Sequence, residues 1–232
     1  MKYATLLFDL DDTLFDFRKS EAEALRRTLE TLDIPFLPAY VEIYAACNQQ
    51  VWREFERGEI SSEELRVKRF ALFFEKVAQI SDLPPARFDP QTASPLYLQN
   101  LALGAYLLPG AEALIRSLRP LCRLALVTNG IAEVQRSRLA LSPLADSFTA
   151  GLYISEEIGA AKPSAAYFQA VFAALGDPPR ETVLLIGDSL SSDMQGGLNA
   201  GIDTCWFNPR RAPGSLPVTY QIQRLEELPA LL

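Results

Sequence analysis

A chain of 232 residues is long enough to bury roughly 70% of the surface its unfolded form exposes, which is room for one domain with an insertion or for two small ones. Asp and Glu number 29 against 22 Lys and Arg, and the resulting net charge of -7 disfavours a nucleic-acid polymer as partner. Histidine is absent, which excludes Ser-His-Asp triads, Cys-His pairs, His-ligated zinc and phosphohistidine intermediates, and leaves carboxylates, Lys, hydroxyls or an oxygen-ligated metal to carry any chemistry.

The chain opens on Met1-Lys2 and an apolar run over residues 3–8 that Asp9 interrupts. That run is too short and too soon charged for a signal peptide, and no stretch of about 18 apolar residues follows, so a cytoplasmic protein away from membranes is expected. Residues 3–8 themselves read as a buried strand. From about Ser20 to Asn100 the rhythm turns helical. Ser20 with Glu23, and Ser61 with Glu64, have capping-box spacing. Val41, Tyr44, Val51, Trp52 and Phe55, then Leu65, Phe70, Phe73, Phe74 and Val77, recur at near-helical intervals. Leu83-Pro84-Pro85-Ala86-Arg87 predicts a break between two of these helices.

After Leu108-Pro109-Gly110, strands are expected at 123–127, 152–154, 182–186 and 203–207, with helices at 111–118, 133–141, 165–175 and 192–200. A closing helix over 224–232 would dock Leu225, Leu228 and Leu231. Alternation of this kind argues a parallel sheet covered by helices on both faces, which the lone strand 3–8 must join. The expected architecture is an α/β core built from 1–15 and 105–232, interrupted by an all-helical insertion over 16–104. Cys47, Cys122 and Cys205 are odd in number and form no C-x-x-C pair, so each is expected to pack as a small apolar residue in a reducing compartment.

In open α/β sheets, ligands bind beyond the carboxyl ends of the strands. There the chain places Asp9-Leu10-Asp11-Asp12-Thr13, Thr128-Asn129-Gly130, and Gly187-Asp188-Ser189 with Asp193 five residues beyond Asp188; Lys162-Pro163 follows the third strand's loop. Taken singly, an Asp after a strand is a helix N-cap or turn residue and a Lys-Pro a solvated loop. Gathered at one edge, the carboxylates describe a hard, oxygen-ligated site that suits Mg²⁺. Asp9 and Asp11 would project to the same side if extended geometry persisted, so that one could be a nucleophile while the other handles protons. The Thr128 hydroxyl and the N–H groups of Asn129 and Gly130 suit phosphate oxygens, and Lys162 supplies a compact positive charge. Two like charges about 4 Å apart repel by about 4 kcal/mol at an effective dielectric near 20. A phosphate dianion therefore needs both a cation and Lys162 to approach such a cluster.

Asp9-Leu-Asp-Asp-Thr-Leu14, Val127-Thr-Asn-Gly130, Lys162-Pro163 and Gly187-Asp-Ser-x-x-x-Asp193 resemble, in order, the four motifs of the haloacid dehalogenase (HAD) superfamily. The resemblance spans the chain, with the helical insertion similar to the cap these enzymes carry, and implies a Rossmann-like core. It implies that Asp9 attacks phosphorus to form an aspartyl-phosphate, and that Asp11 protonates the leaving oxygen and then activates water. Mg²⁺ would lie between the Asp9 carboxylate, the Asp11 backbone carbonyl and the Asp188 carboxylate. Thr128 and Asn129 would hold the transferring group, Lys162 would neutralise it, and Asp193 would orient metal-bound water or Lys162.

The true dehalogenases resemble this pattern but lack the second aspartate, so Asp11 favours phosphate monoester hydrolysis. Asn48, Trp52, Gly58-Glu-Ile60 and Phe70, then Ile154-Ser-Glu-Glu-Ile-Gly159 and Gly196-Gly-Leu-Asn-Ala-Gly201 through Thr204-Cys-Trp-Phe-Asn208, look like the branch that dephosphorylates pyrimidine nucleoside monophosphates. The expected ligand is a small phosphorylated metabolite, a nucleoside monophosphate first. Phosphoglycolate or a sugar phosphate, a phosphomutase reaction, and a catalytically silent module are the alternatives; the last would be favoured by loss of Asp9, Asp11 or Lys162, all of which are present. The acidic composition, with a sequence pI of about 4.8, is compatible with a monomer or a homodimer.

Overall fold

The computed structural model describes residues 2–81, 84 and 87–232, and of Glu56 the backbone alone. The chain divides into two compact units, one formed by Met1–Phe17 with Ala105–Leu232 and the other by Arg18–Gly104.

The first unit is built on β1 (Thr5–Phe8), β2 (Arg123–Thr128), β3 (Gly151–Ile154), β4 (Val183–Gly187), β5 (Asp203–Phe207) and β6 (Tyr220–Ile222). All pair in parallel, in the order β3-β2-β1-β4-β5-β6. The central strands β1, β2 and β4 read as near-continuous apolar runs because both of their faces are covered. Side chains alternate between those faces. Leu6, Phe8, Leu124, Leu126, Leu184 and Ile186 pack with Leu114, Ile115 and Leu118 of α5 (Ala111–Leu118) and with Leu139 of α6 (Ala132–Leu141). Leu7, Ala125, Val127 and Leu185 pack with Tyr167, Phe168, Val171 and Phe172 of α8 (Ala165–Leu175). One-turn α7 (Ser155–Ile158) precedes α8, and α9 (Gln195–Ala200) leads into β5. The strand order reverses between β1 and β4, the position where open sheets of this type leave a crevice at their carboxyl ends.

Several expectations need correction. The helix expected from 192 begins as a π-helical turn, Leu190–Met194, before α9. The closing element Leu225–Leu231 is a 3₁₀ helix rather than an α-helix, with Pro229 inside it lacking the N–H an α-helical bond would use. Leu225 and Leu228 are buried there, and Leu231 is half-buried against the same core. The three-residue β6 has no expected counterpart. Cys47 and Cys205 are buried; Cys122 is half-buried, its thiol on the Leu118 carbonyl.

The second unit holds α1 (Phe17–Thr31, begun in the first unit), α2 (Ala39–Glu56), α3 (Ser62–Ala78) and α4 (Pro90–Leu101). Ser61 caps α3 reciprocally with Glu64, as its spacing predicts. Ser20 does not cap: it lies inside α1, buried, and donates its hydroxyl to the Gly104 carbonyl at 2.8 Å, while Glu23 pairs with Arg26. α1 starts at Phe17, four residues ahead of the first helical position that a Ser20 cap would set. Asp89 caps α4 ahead of Pro90, whose missing N–H costs nothing at a first helical position. The core is aromatic. Tyr44 lies with ring centroids 5.2 Å from Phe70, 5.5 Å from Phe73 and 5.1 Å from Tyr97, and such pairs add about 0.5–1.5 kcal/mol each beyond area burial. Val41, Trp52 and Phe55 are only half-buried; α2 turns Tyr40, Tyr44, Cys47, Asn48 and Val51 inward instead. Of the break expected between α3 and α4, Leu83, Pro85 and Ala86 lie outside the described residues. Among the described residues, no helix is long and apolar enough to cross a membrane.

Candidate active site

Asp9 directly follows β1 and remains in the sheet's hydrogen bonding, its N–H donating to the Ile186 carbonyl at 2.8 Å. The chain then leaves the extended conformation. Asp12 takes a left-handed backbone at φ 57°, which Asp tolerates better than most residues, and the N–H groups of Leu14 and Phe15 fold back onto the Leu10 carbonyl. Asp9 and Asp11 therefore do not share the partners that two successive strand positions would suggest. The Asp9 carboxylate accepts from Lys162, whereas Asp11 turns to α6, taking a guanidinium bond from Arg138 at 2.5 Å and an amide bond from Gln135 at 2.7 Å.

Lys162 is the hub. Its ammonium donates to Asp9 Oδ1 and Asp193 Oδ1 at 2.6 Å each and to the Val127 carbonyl at 2.9 Å, and its side chain is 2% exposed. All three of its protons thus have acceptors. Asn129 fixes this residue from the backbone side: its amide accepts from Lys162 N–H at 2.8 Å and donates to the Lys162 carbonyl at 2.9 Å. The Asn129 side chain is thereby spent on Lys162. The Thr128 hydroxyl accepts from Gln135 Nε2 at 2.8 Å.

The π-helical turn after β4 brings Asp193 back under the sheet edge, where its second oxygen accepts from Ser189 N–H at 3.1 Å. π-type turns recur at functional sites for this reason: they re-aim one residue that a regular helix would point elsewhere. Gly187 makes the approach possible, because a Cβ there would overlap the Asp193 carboxylate. Asp188 is held through its carbonyl by the Trp206 indole N–H at 2.8 Å.

One carboxylate oxygen from each of Asp9, Asp188 and Asp193 lies within 4.8 Å of the others. Desolvation pushes the Asp9 carboxyl up to about 7 against the pull of Lys162, with Asp193 and Asp11 adding to the rise. Asp188 is pushed well above its ordinary range, first by desolvation and then by Asp9, Asp193 and Asp12. Desolvation works against the Lys162 ammonium as well, but Asp193 and Asp9 outweigh it and hold the group charged. Crowded, desolvated carboxylates with oxygen donors and neither His nor Cys fit a hard divalent cation such as Mg²⁺. The sequence reading missed Gln135, Arg138 and the Trp206 contact. The signal for the first two was a pair of polar residues at i and i+3 on a helix leaving the Thr128 strand end.

The haloacid dehalogenase-like hydrolase family matches residues 3–201. A HAD-hydrolase of Bacillus subtilis, YfnB, is 38% identical over 98% of this chain and 94% of its own. Its crystal structure, described as bound to magnesium, superposes with a TM-score of 0.90 at 37% identity, covering 100% of this chain and 99% of that one. The pyrimidine 5'-nucleotidase YjjG of Escherichia coli is 32% identical over 100% of this chain and 99% of its own, and the pyrimidine 5'-nucleotidase PynA of Streptococcus pneumoniae 36% over 98% and 94%. With a parallel sheet of this order, four motifs at its carboxyl edge and relatives matched end to end, the chain belongs to the haloacid dehalogenase-like hydrolases.

Proposed function

We propose that this hydrolase, a phosphoric monoester hydrolase of its family, acts on pyrimidine nucleoside 5'-monophosphates through an aspartyl-phosphate at Asp9. The observation that carries the reading is the joint one: two pyrimidine 5'-nucleotidases align over nearly the whole chain, and Lys162 with three converging carboxylates stands at the strand ends where a phosphoryl group would be handled.

In this reading a carboxylate oxygen of Asp9 attacks phosphorus and the ester P–O bond breaks, the leaving oxygen taking a proton from Asp11. Asp11, now a carboxylate, removes a proton from the water that attacks the acyl phosphate. Inorganic phosphate leaves and Asp9 is restored. Lys162 offsets the charge of the transferring group and keeps Asp9 in place, while the Thr128 hydroxyl and the Asn129 backbone hold phosphoryl oxygens. Asp9, Asp188 and the Asp11 carbonyl would hold Mg²⁺, with Asp193 orienting Lys162. Bound there, the ion supplies charge neutralisation for carboxylates and phosphate that otherwise repel. The unit Arg18–Gly104 is the helical cap of this reading.

The test is phosphate release from UMP, dUMP, dTMP, CMP, AMP, GMP, phosphoglycolate and several sugar phosphates, with Mg²⁺ and with excess chelator. Metal-dependent turnover led by uracil and thymine nucleotides is the expected result. Turnover led by phosphoglycolate or sugar phosphates would discard the nucleotidase assignment, and none on any ester would discard the reaction.

A further inference from the structure

We propose that Gln135 and Arg138 are positioning residues for the proton-transfer step, a two-point clamp that orients the Asp11 carboxylate and ties it to Thr128. Neither residue belongs to the four motifs. Both sit on the inward face of α6, at 1% and 0% exposure. Arg138 donates to Asp11 Oδ1, and Gln135 Nε2 donates to Asp11 Oδ2 at 2.7 Å, so each oxygen of the carboxylate has its own donor. The same Nε2 reaches the Thr128 hydroxyl at 2.8 Å.

The direction of each bond fixes the glutamine's orientation. Its carbonyl oxygen accepts from Arg138 at 3.0 Å, so its amide nitrogen is the atom that faces Asp11 and Thr128. Arg138 cannot swing away freely, since its guanidinium lies 5.2 Å from the centroid of the Phe15 ring and 5.7 Å from that of Phe17. A buried guanidinium that only filled space would be an expensive choice beside a Leu or Met of similar reach. Among what it adds here is a fixed direction for the Asp11 carboxylate. The clamp occupies at most one lone pair on each Asp11 oxygen, so the carboxyl can still give and take a proton in a defined place. Occupation of the Thr128 hydroxyl by a phosphoryl oxygen would be felt at Asp11 through a single amide.

This inference rests on the reading of Asp11 as general acid, and the experiment separates the two. For the wild type, Asp11→Asn, Arg138→Gln, Arg138→Lys and Gln135→Leu, with Mg²⁺ present, kcat/KM is measured on UMP and on p-nitrophenyl phosphate. This parameter covers only the steps through departure of the leaving group. The nucleoside must leave with a proton, whereas p-nitrophenolate leaves as an anion, so the quantity read is the loss on UMP divided by the loss on p-nitrophenyl phosphate. That ratio cancels any damage to phosphate binding through Thr128 and any general loosening of the fold. The expected result is a loss on UMP of about 10–100-fold for Arg138→Gln and Gln135→Leu, a few-fold at most on p-nitrophenyl phosphate, with partial recovery of the ratio in Arg138→Lys. If Arg138→Gln does not fold, Gln135→Leu carries the comparison alone. A ratio near one for the clamp variants, beside a large ratio for Asp11→Asn, would overturn the clamp and leave the acid standing. A ratio near one for Asp11→Asn would overturn both.

Discussion

Lys162 donates to Asp9 at 2.6 Å across 153 positions of sequence, and the two side chains are 2% and 9% exposed. The partner on the other side of the ammonium, Asp193, is 1% exposed at the same distance. Three charges this deep persist only because they satisfy one another, so deleting the middle one leaves two carboxylates uncompensated. Breaking a buried pair in this way typically costs about 3–5 kcal/mol. Lys162→Met is expected to lose stability on that scale at neutral pH in metal-free urea denaturation, and to lose turnover with it. Adding Asp193→Asn should return part of the stability but none of the activity. If the single substitution leaves the urea midpoint unchanged, the triad does not stabilise the fold.

The pH dependence follows from Asp9. Its carboxyl rises from 3.8 to about 7, chiefly through desolvation, so the folded protein holds that proton more tightly than the unfolded chain does. The stability this contributes is complete below about pH 4 and disappears as pH rises through 7. A divalent cation binds the ionised form and acts in the opposite sense. The Mg²⁺-induced rise in Tm should therefore be small at pH 5 and much larger at pH 8, as read by thermal unfolding with and without saturating Mg²⁺. An equal shift at both values would argue that the cation binds elsewhere.

The residues legible in the sequence were those whose chemistry and place in the chain agreed. Asp9, Asp188 and Thr128 each close or follow a short apolar run that reads as a buried strand and is one, so their side chains emerge at the sheet edge. Arg138 and Gln135 carry no such mark. They lie in the polar run Gln135-Arg136-Ser137-Arg138 of α6, which reads as a solvated face, whereas both side chains are buried against the Asp11 turn. Ser20 failed in the opposite way: its spacing to Glu23 is that of a cap, but the helix begins at Phe17 and the hydroxyl is used on Gly104. β6 is three residues long, shorter than any period that could announce it.

Gly187 ends β4, and its value lies in what it lacks. A Cβ there would overlap the Asp193 carboxyl group, which Lys162 and the Ser189 N–H hold in its present place, so an added methyl must push it out of that position. Gly187→Ala is expected to displace Asp193 rather than unfold the sheet. Loss of an outer hydrogen-bonded partner commonly weakens metal affinity by about 10–100-fold. Mg²⁺ titration by calorimetry should detect that drop while circular dichroism stays unchanged. Unaltered affinity would mean that Asp193 has no part in organising the cation site.

Asp9→Asn separates the nucleophile from the scaffold. The amide keeps an oxygen for Lys162 and the same volume, so the contact survives as a hydrogen bond from the Lys162 ammonium to an uncharged amide oxygen. It also relieves the desolvation that raises the native carboxyl, so Tm at pH 8 without metal should equal or exceed that of the wild type. Chemistry should fail for a different reason: an amide cannot form the acyl phosphate, whatever binds beside it. Steady-state phosphate release should fall below detection, and acid-quenched protein incubated with a ³²P-labelled monoester should carry no label where the wild type does. A folded Asp9→Asn protein that still turned over would move the nucleophile to another residue and break the link between Lys162 and the reaction.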